Sequence, residues 1–151
     1  DIQIVYVHWG EEYSEVASAS QHKLASLLAE NGTDIIIGHH PHVVQNIEKI
    51  NETLVFYSLG NYIFDQYFSD SVQKGLMLKL SLENGLKIEL FPVSSLLNHA
   101  QPMRMADKEK TVFLEELALR SDNALAEQIL AGSLALTVAL ASSTEVAIMT
   151  E

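Results

Sequence analysis

Three of the six histidines in this 151-residue chain fall within four positions, in Gly38-His39-His40-Pro41-His42. Neutral imidazole is the commonest protein ligand for borderline metals, so metal binding is the first chemistry to consider. The motif is reached directly from Ile35-Ile36-Ile37. An apolar run that ends in a glycine and imidazoles reads as a buried strand delivering ligands at its C-terminal end. Pro41 disfavours the helical region for His40 and favours an extended backbone. Side chains alternate along extended chain, which predicts His40 and His42 on one side and His39 on the other. The plainer alternative is a polar loop with surface histidines, although loops rarely concentrate histidine this densely.

A second apolar run, residues 2–7, also ends in a histidine and a nearby glycine: His8-Trp9-Gly10, followed by Glu11-Glu12-Tyr13. Between the two runs lie residues 14–31, with Leu24, Leu27 and Leu28 at helical spacing and Asn31-Gly32 as a stop signal. The order strand, helix, strand makes the two strands parallel, with their C-terminal ends at one edge of a sheet. Open α/β sheets bind ligands at that edge. Taken alone, His8 reads as an ordinary core or loop histidine; at the matching end of a neighbouring strand it is predicted to converge with His40 and His42.

The bulk composition narrows the function classes. A chain of this length is enough for one domain with a real core, and 48% hydrophobic with 19% charged residues is that of an ordinary globular protein. A formal net charge of −11 argues against nucleic-acid binding. An anionic substrate would need local positive charge, which bound metal ions would supply. The absence of cysteine removes disulfides and thiolate ligands and leaves the redox compartment open.

Beyond the histidine motif the chain turns β-rich. Residues 43–50 and 53–58 read as strands joined by a hairpin at Asn51-Glu52. Leu59-Gly60-Asn61 reads as a loop, followed by an aromatic-rich stretch over 62–68. Residues 76–82 and 86–93 flank Asn84-Gly85, the strongest short hairpin signal present. Pro92 and Pro102 bracket an irregular connector, and residues 107–130 read as helical with a break at Ser121-Asp122. The mostly apolar tail 129–141 is too short for a confident membrane span. It reads as a core helix, an interfacial segment, or a piece that packs on a partner; the first and last are preferred.

His8-Trp9-Gly10, Glu12-Tyr13, Gln21, Gly38-His39-His40-Pro41-His42, Tyr57-Ser58-Leu59-Gly60-Asn61 and Phe64-Asp65 together resemble the CapA family. This is the bacterial capsule and poly-γ-glutamate synthesis group of the calcineurin-like metallophosphoesterase superfamily. The resemblance covers roughly residues 1–93 and weakens towards Pro102. It implies an α/β fold: the C-terminal half of a metallophosphoesterase-like β-sandwich flanked by helices, with a C-terminal helical segment. The implied division is residues 1–102 as the C-terminal part of the CapA-like domain and 103–151 as a helical extension. The superfamily's earlier ligand motifs would lie before Asp1. The expected partner is therefore the N-terminal half of the same domain, and the fragment alone is expected to be inactive and to bind metal weakly.

By the same resemblance His8 matches a lone metal-ligating histidine, and His40 and His42 match a ligating pair. His39 then becomes a catalytic candidate, either holding substrate or donating a hydrogen bond to a metal ligand. The implied activity is metal-dependent hydrolysis of the phosphoesterase type, with two divalent ions (Mn, Zn or Fe) and a phosphoester or anionic polymer as substrate. The other reading is a non-catalytic polymer-binding or export component of a capsule synthesis assembly. Glu12 either orients a ligand or relays protons, or is simply an acidic residue in the first turn of the next helix. Asn61 either contacts substrate or shapes the turn with Gly60. Trp9 and Tyr13 either line a pocket or, as the plainer reading, pack in the core. A bacterial cell-surface or extracytoplasmic location is implied, with membrane association only through the rest of the parent protein.

Overall fold

The computed structural model describes residues 2–82 and 85–136. Two four-stranded sheets enclose a shared apolar core. The first has the order β1-β2-β4-β3, with β1 (Ile4–His8), β2 (Ile35–His39), β3 (Ile47–Ile50) and β4 (Thr53–Phe56). β1, β2 and β4 are mutually parallel, and β3 runs antiparallel to β4 across the Asn51-Glu52 hairpin. The expected strand–helix–strand unit is therefore present, with β1 and β2 paired from Ile4↔Ile35 to His8↔His39. Both members of the predicted hairpin are shorter than the sequence suggests, because β3 starts only at Ile47 and β4 ends at Phe56.

The crossover helix α1 (Ala19–Glu30) starts at Ser18, whose side chain and that of Gln21 cap each other's backbone N–H groups. Its buried residues are Gln21 and Ala25, not the leucines at 24 and 27, which are exposed. Of the three spaced leucines only Leu28 packs against the core. Gln21 is buried because its side-chain amide donates to Gln45 Oε1 at 2.8 Å, so a polar contact fixes that face. Ala25, Ile36, Val55 and Tyr57 form the small core between α1 and the outer side of the first sheet.

The second sheet is built on β5 (Lys74–Ser81) and β6 (Leu86–Ser94), an antiparallel pair in register from Lys74↔Ser94 to Ser81↔Lys87. Asn84 of the predicted hairpin turn lies outside the described residues. β6 continues through Pro92 to Ser94, so the connector expected after Pro92 begins later. The far edge of β6 pairs with the two-residue β7 (Met103–Arg104) and with β8 (Ser133–Leu136).

Helix α2 (Asp107–Arg120) and helix α3 (Ala126–Leu130) flank a turn at Ser121-Asp122, where the sequence predicts a break. Phe113, Leu117 and Ile129 join Ile35, Phe56, Ile88 and Leu90 in one core. The tail is not a continuous core helix. α3 ends at Leu130, Gly132 takes a left-handed φ of 73°, and residues 133–136 add to β6 as a strand. An apolar run of this length is compatible with either period, and strand pairing with Leu86–Glu89 decides it. Residues 137–141 of the tail lie outside the described residues. Among the described residues, no helix is long and apolar enough to cross a membrane.

Candidate metal centre at the strand ends

The C-terminal ends of three parallel strands meet around one indole. Trp9, the residue after β1, donates its backbone N–H to His39 O at 3.0 Å and its indole Nε1 to Tyr57 O at 2.8 Å. Its ring stacks on Tyr57, with centroids 5.6 Å apart. This explains Gly38: a Cβ there would collide with the Tyr57 carbonyl and with Trp9 Nε1. Trp9 belongs to the core, as expected. Tyr13 does not. It is exposed, in a left-handed conformation (φ 66°), and its ring lies 6.1 Å from that of His42.

His40 and His42 come together by a different route from the alternation that Pro41 suggests. The strand ends at His39, and the next residues form a turn in which His40 has φ 103° and His42 φ 61°. Neither is extended. Two non-glycine residues held at positive φ cost of order 1–3 kcal/mol each. What holds the turn includes a 2.7 Å hydrogen bond from Tyr13 N–H to Pro41 O. The turn places the His40 ring 4.6 Å from that of His8 and 6.0 Å from that of His42.

Glu12 completes the group. One ligand atom each from Glu12, His40 and His42 lie within 4.8 Å of one another, a spacing that a single cation could bridge. Glu12 Oε1 is 3.9 Å from His42 Nε2. The other nitrogen of that ring, Nδ1, lies 2.9 Å from Asn61 Oδ1. Asn61 donates its own amide to Val72 O at 3.0 Å, which fixes the oxygen towards His42. An acceptor at Nδ1 requires the proton there and leaves the Nε2 lone pair facing Glu12, the arrangement a metal-ligating histidine needs. Asn61 thus does more than shape the turn with Gly60.

His39 stands apart from this group. Its side chain shares the inner face of the first sheet with Ile37 and stacks on Tyr6 at 5.0 Å. It lines a cavity of about 480 Å³ between β1 and β5, with Leu76, Leu78 and Tyr62 among its neighbours. His39 Nε2 is buried with no hydrogen-bond partner among the described residues. Burial, and next the adjacent His8, push its pKa below the usual histidine value.

Asn61 was a candidate from the sequence, and the topology shows how it arrives; a second feature was not read from the sequence. Asn61 reaches the site because β4 is parallel to β2, so the chain leaving β4 emerges at the same edge; the hairpin to β3 carried that information. The feature that was missed is a cluster on the helix side of the sheet. Tyr57 OH donates to Glu48 Oε2 at 2.6 Å, and His22 Nδ1 lies 2.9 Å from both groups. Burial, then the hydrogen bond and charge of Glu48, push the Tyr57 pKa far above its ordinary value. His99, by contrast, is exposed and stacks on Tyr67 at 3.9 Å.

Residues 1–66 match the family described as bacterial capsule synthesis protein PGA_cap, and all the site residues named above from His8 to Asn61 fall within that span. The chain is 38% identical over 119 residues to the PGA biosynthesis protein CapA of Bacillus subtilis (strain 168), which covers 76% of this chain and 31% of that protein. It is 35% identical over 114 residues to the capsule biosynthesis protein CapA of Bacillus anthracis, covering 75% of this chain and 28% of that protein. The chain spans about a third of the length of these curated relatives. With the histidine turn, the Trp9 loop and Asn61 all inside the matched segment, this chain belongs to the CapA family of bacterial capsule synthesis proteins.

Proposed function

We propose that the chain is the histidine-bearing part of a metal-dependent hydrolase of the phosphoesterase type that works in capsule or poly-γ-glutamate synthesis. The observation that carries this reading is the meeting of Glu12, His40 and His42 within 4.8 Å, with the His42 tautomer set by Asn61. Two imidazoles and one carboxylate suit Mn²⁺, Zn²⁺ or Fe²⁺. When bound, such an ion supplies Lewis acidity and makes its water a nucleophile near neutral pH. His40, His42 and Glu12 hold that ion. His8, against His40, contributes to a second ion whose remaining ligands come from elsewhere in the protein. His39 offers its unpartnered Nε2 to a substrate from the wall of the neighbouring cavity, while Tyr13 and Phe64 flank His42.

The placement of this group at the ends of parallel strands in a two-sheet sandwich supports a metallophosphoesterase-like fold. The inner face of β1 supports the reading that more of the same domain covers it. Ile4 and Tyr6 are 47% and 68% exposed, whereas their in-register partners Ile35 and Ile37 are 0% and 5%. The expected covering partner is the N-terminal half of the domain. Names of the relatives give the biosynthetic context, and in a chain of net charge −11 a bound cation is what would attract an anionic polymer or phosphoester.

The test is hydrolysis of a phosphodiester such as bis(p-nitrophenyl) phosphate by the full-length protein, with and without added Mn²⁺ or Zn²⁺. Metal-dependent turnover that His42→Ala abolishes is the expected result. Firm binding of poly-γ-glutamate without turnover would instead favour the non-catalytic polymer-binding role.

A further inference from the structure

The residues that carry the candidate ligands arrive on two separate segments, the loop after β1 and the turn after β2. Helix α2, remote in sequence, touches both through its last residue. Arg120 donates from one guanidinium nitrogen to Val44 O at 3.1 Å, two residues after His42. Its other terminal nitrogen lies 3.9 Å from Glu15 Oε2, three residues after Glu12. The following residues extend the attachment: Ser121 Oγ accepts from Ile47 N–H at 2.8 Å, and Asp122 N–H donates to Ile47 O at 2.9 Å.

We infer that Arg120 is a positioning residue that braces the Glu12 loop against the His40–His42 turn and so sets the separation of the candidate ligands. The placement is costly for a residue whose only task is to pack. The Arg120 side chain is 17% exposed, and its Nε is buried with no partner among the described residues. Burial also works against its charge, and only Glu15 and Glu116 oppose that effect. An apolar side chain would fill the same space without these penalties. A planar guanidinium, however, can reach a carbonyl and a carboxylate on two segments at once, which the single ammonium of lysine does poorly. The Val44 contact is the stronger arm, because it is short and charge-assisted. The Glu15 arm is longer and half exposed, so its share is smaller.

The effect on metal rests on the reading of Glu12, His40 and His42 as ligands, and the test separates the two ideas. Arg120→Met, Arg120→Lys and Glu15→Gln are prepared in the full-length protein and checked for native circular dichroism. Two quantities are then measured: Zn²⁺ affinity by calorimetry, and metal-free hydrogen exchange at the Tyr13 amide, whose bond to Pro41 O joins the two segments. Arg120→Met is expected to weaken Zn²⁺ binding about 10-fold, the lower end for loss of an outer partner of a metal site, and to speed Tyr13 exchange. Arg120→Lys should recover part of both, and Glu15→Gln should move both less. Should Arg120→Met not fold, the lysine and glutamine variants carry the same comparison. A wild-type chain that ignores Zn²⁺ while Tyr13 exchange still quickens in the variants overturns the ligand assignment and leaves the brace standing. Unchanged Tyr13 exchange and unchanged Zn²⁺ affinity in folded variants, with only a lower melting temperature, overturns the brace.

Discussion

Asn61 and His42, nineteen positions apart, are joined by a 2.9 Å contact between Oδ1 and Nδ1, and the Val72 carbonyl locks the amide in the orientation that makes this contact. The imidazole is thereby presented with Nε2 outward. Asn61→Ala removes the acceptor, frees the ring to rotate and leaves its tautomer unset. Metal affinity is expected to fall about 10- to 100-fold, with little change in circular dichroism. Asn61→Asp keeps an acceptor for Nδ1–H but loses the donor to Val72, so it should retain more affinity than alanine. Calorimetric titration of the three proteins with Zn²⁺ decides this, and equal affinities would remove Asn61 from the site.

The histidines divide into those that face Glu12 and those that do not. His40→Ala and His42→Ala are expected to strip the ion from the Glu12 site with the fold intact. His39→Ala should keep that ion and lose turnover, because its ring faces the cavity between β1 and β5 instead. His99→Ala should change neither. Metal content and phosphodiester turnover of the full-length variants check the register; loss of metal in His39→Ala with retention in His40→Ala would reverse the assignment.

Tyr57 gives the fold a defined response to alkali. Its folded pKa is raised above the ordinary 10.0 by burial and by Glu48, so the folded state holds the phenolic proton more tightly than the unfolded chain. The associated stability is complete below about pH 10 and is lost as pH climbs from there towards the folded value. Tyr57→Phe should cost about 1.5–3 kcal/mol at neutral pH, the usual range for a hydrogen bond to a charged group. That gap should narrow above pH 10, because only wild type has this proton to lose. Urea unfolding at pH 7 and pH 10.5 measures both values, and a gap that stays constant would contradict the raised pKa.

Much of the site was legible in the order of elements. His8 and His39 face each other across β1 and β2 because a strand–helix–strand unit leaves no other sensible pairing. What defeated sequence reading was local. The constraint that proline imposes on its predecessor points to extended backbone at His40, yet tertiary contacts such as Tyr13 N–H to Pro41 O hold that residue at φ 103°. Leucine spacing located α1 but not its buried polar contact, which Gln21 makes with Gln45, a partner remote in sequence. The contacts of His22 were out of reach for the same reason: Tyr57 and Glu48 come from other elements. The strand at 133–136 needed its neighbour Leu86–Glu89 to exist, and an apolar run cannot announce its partner.

Trp9 is the chain's single tryptophan, and it sits next to His8 with its indole bonded to the carbonyl of Tyr57, the residue after β4. The molecule therefore carries an intrinsic fluorophore at the point where three strand ends meet. Its emission should be that of a hydrogen-bonded, largely shielded indole and should shift to the red when those ends separate. Co²⁺ or Mn²⁺ entering among the histidines would quench it, so occupancy can be followed optically without any label.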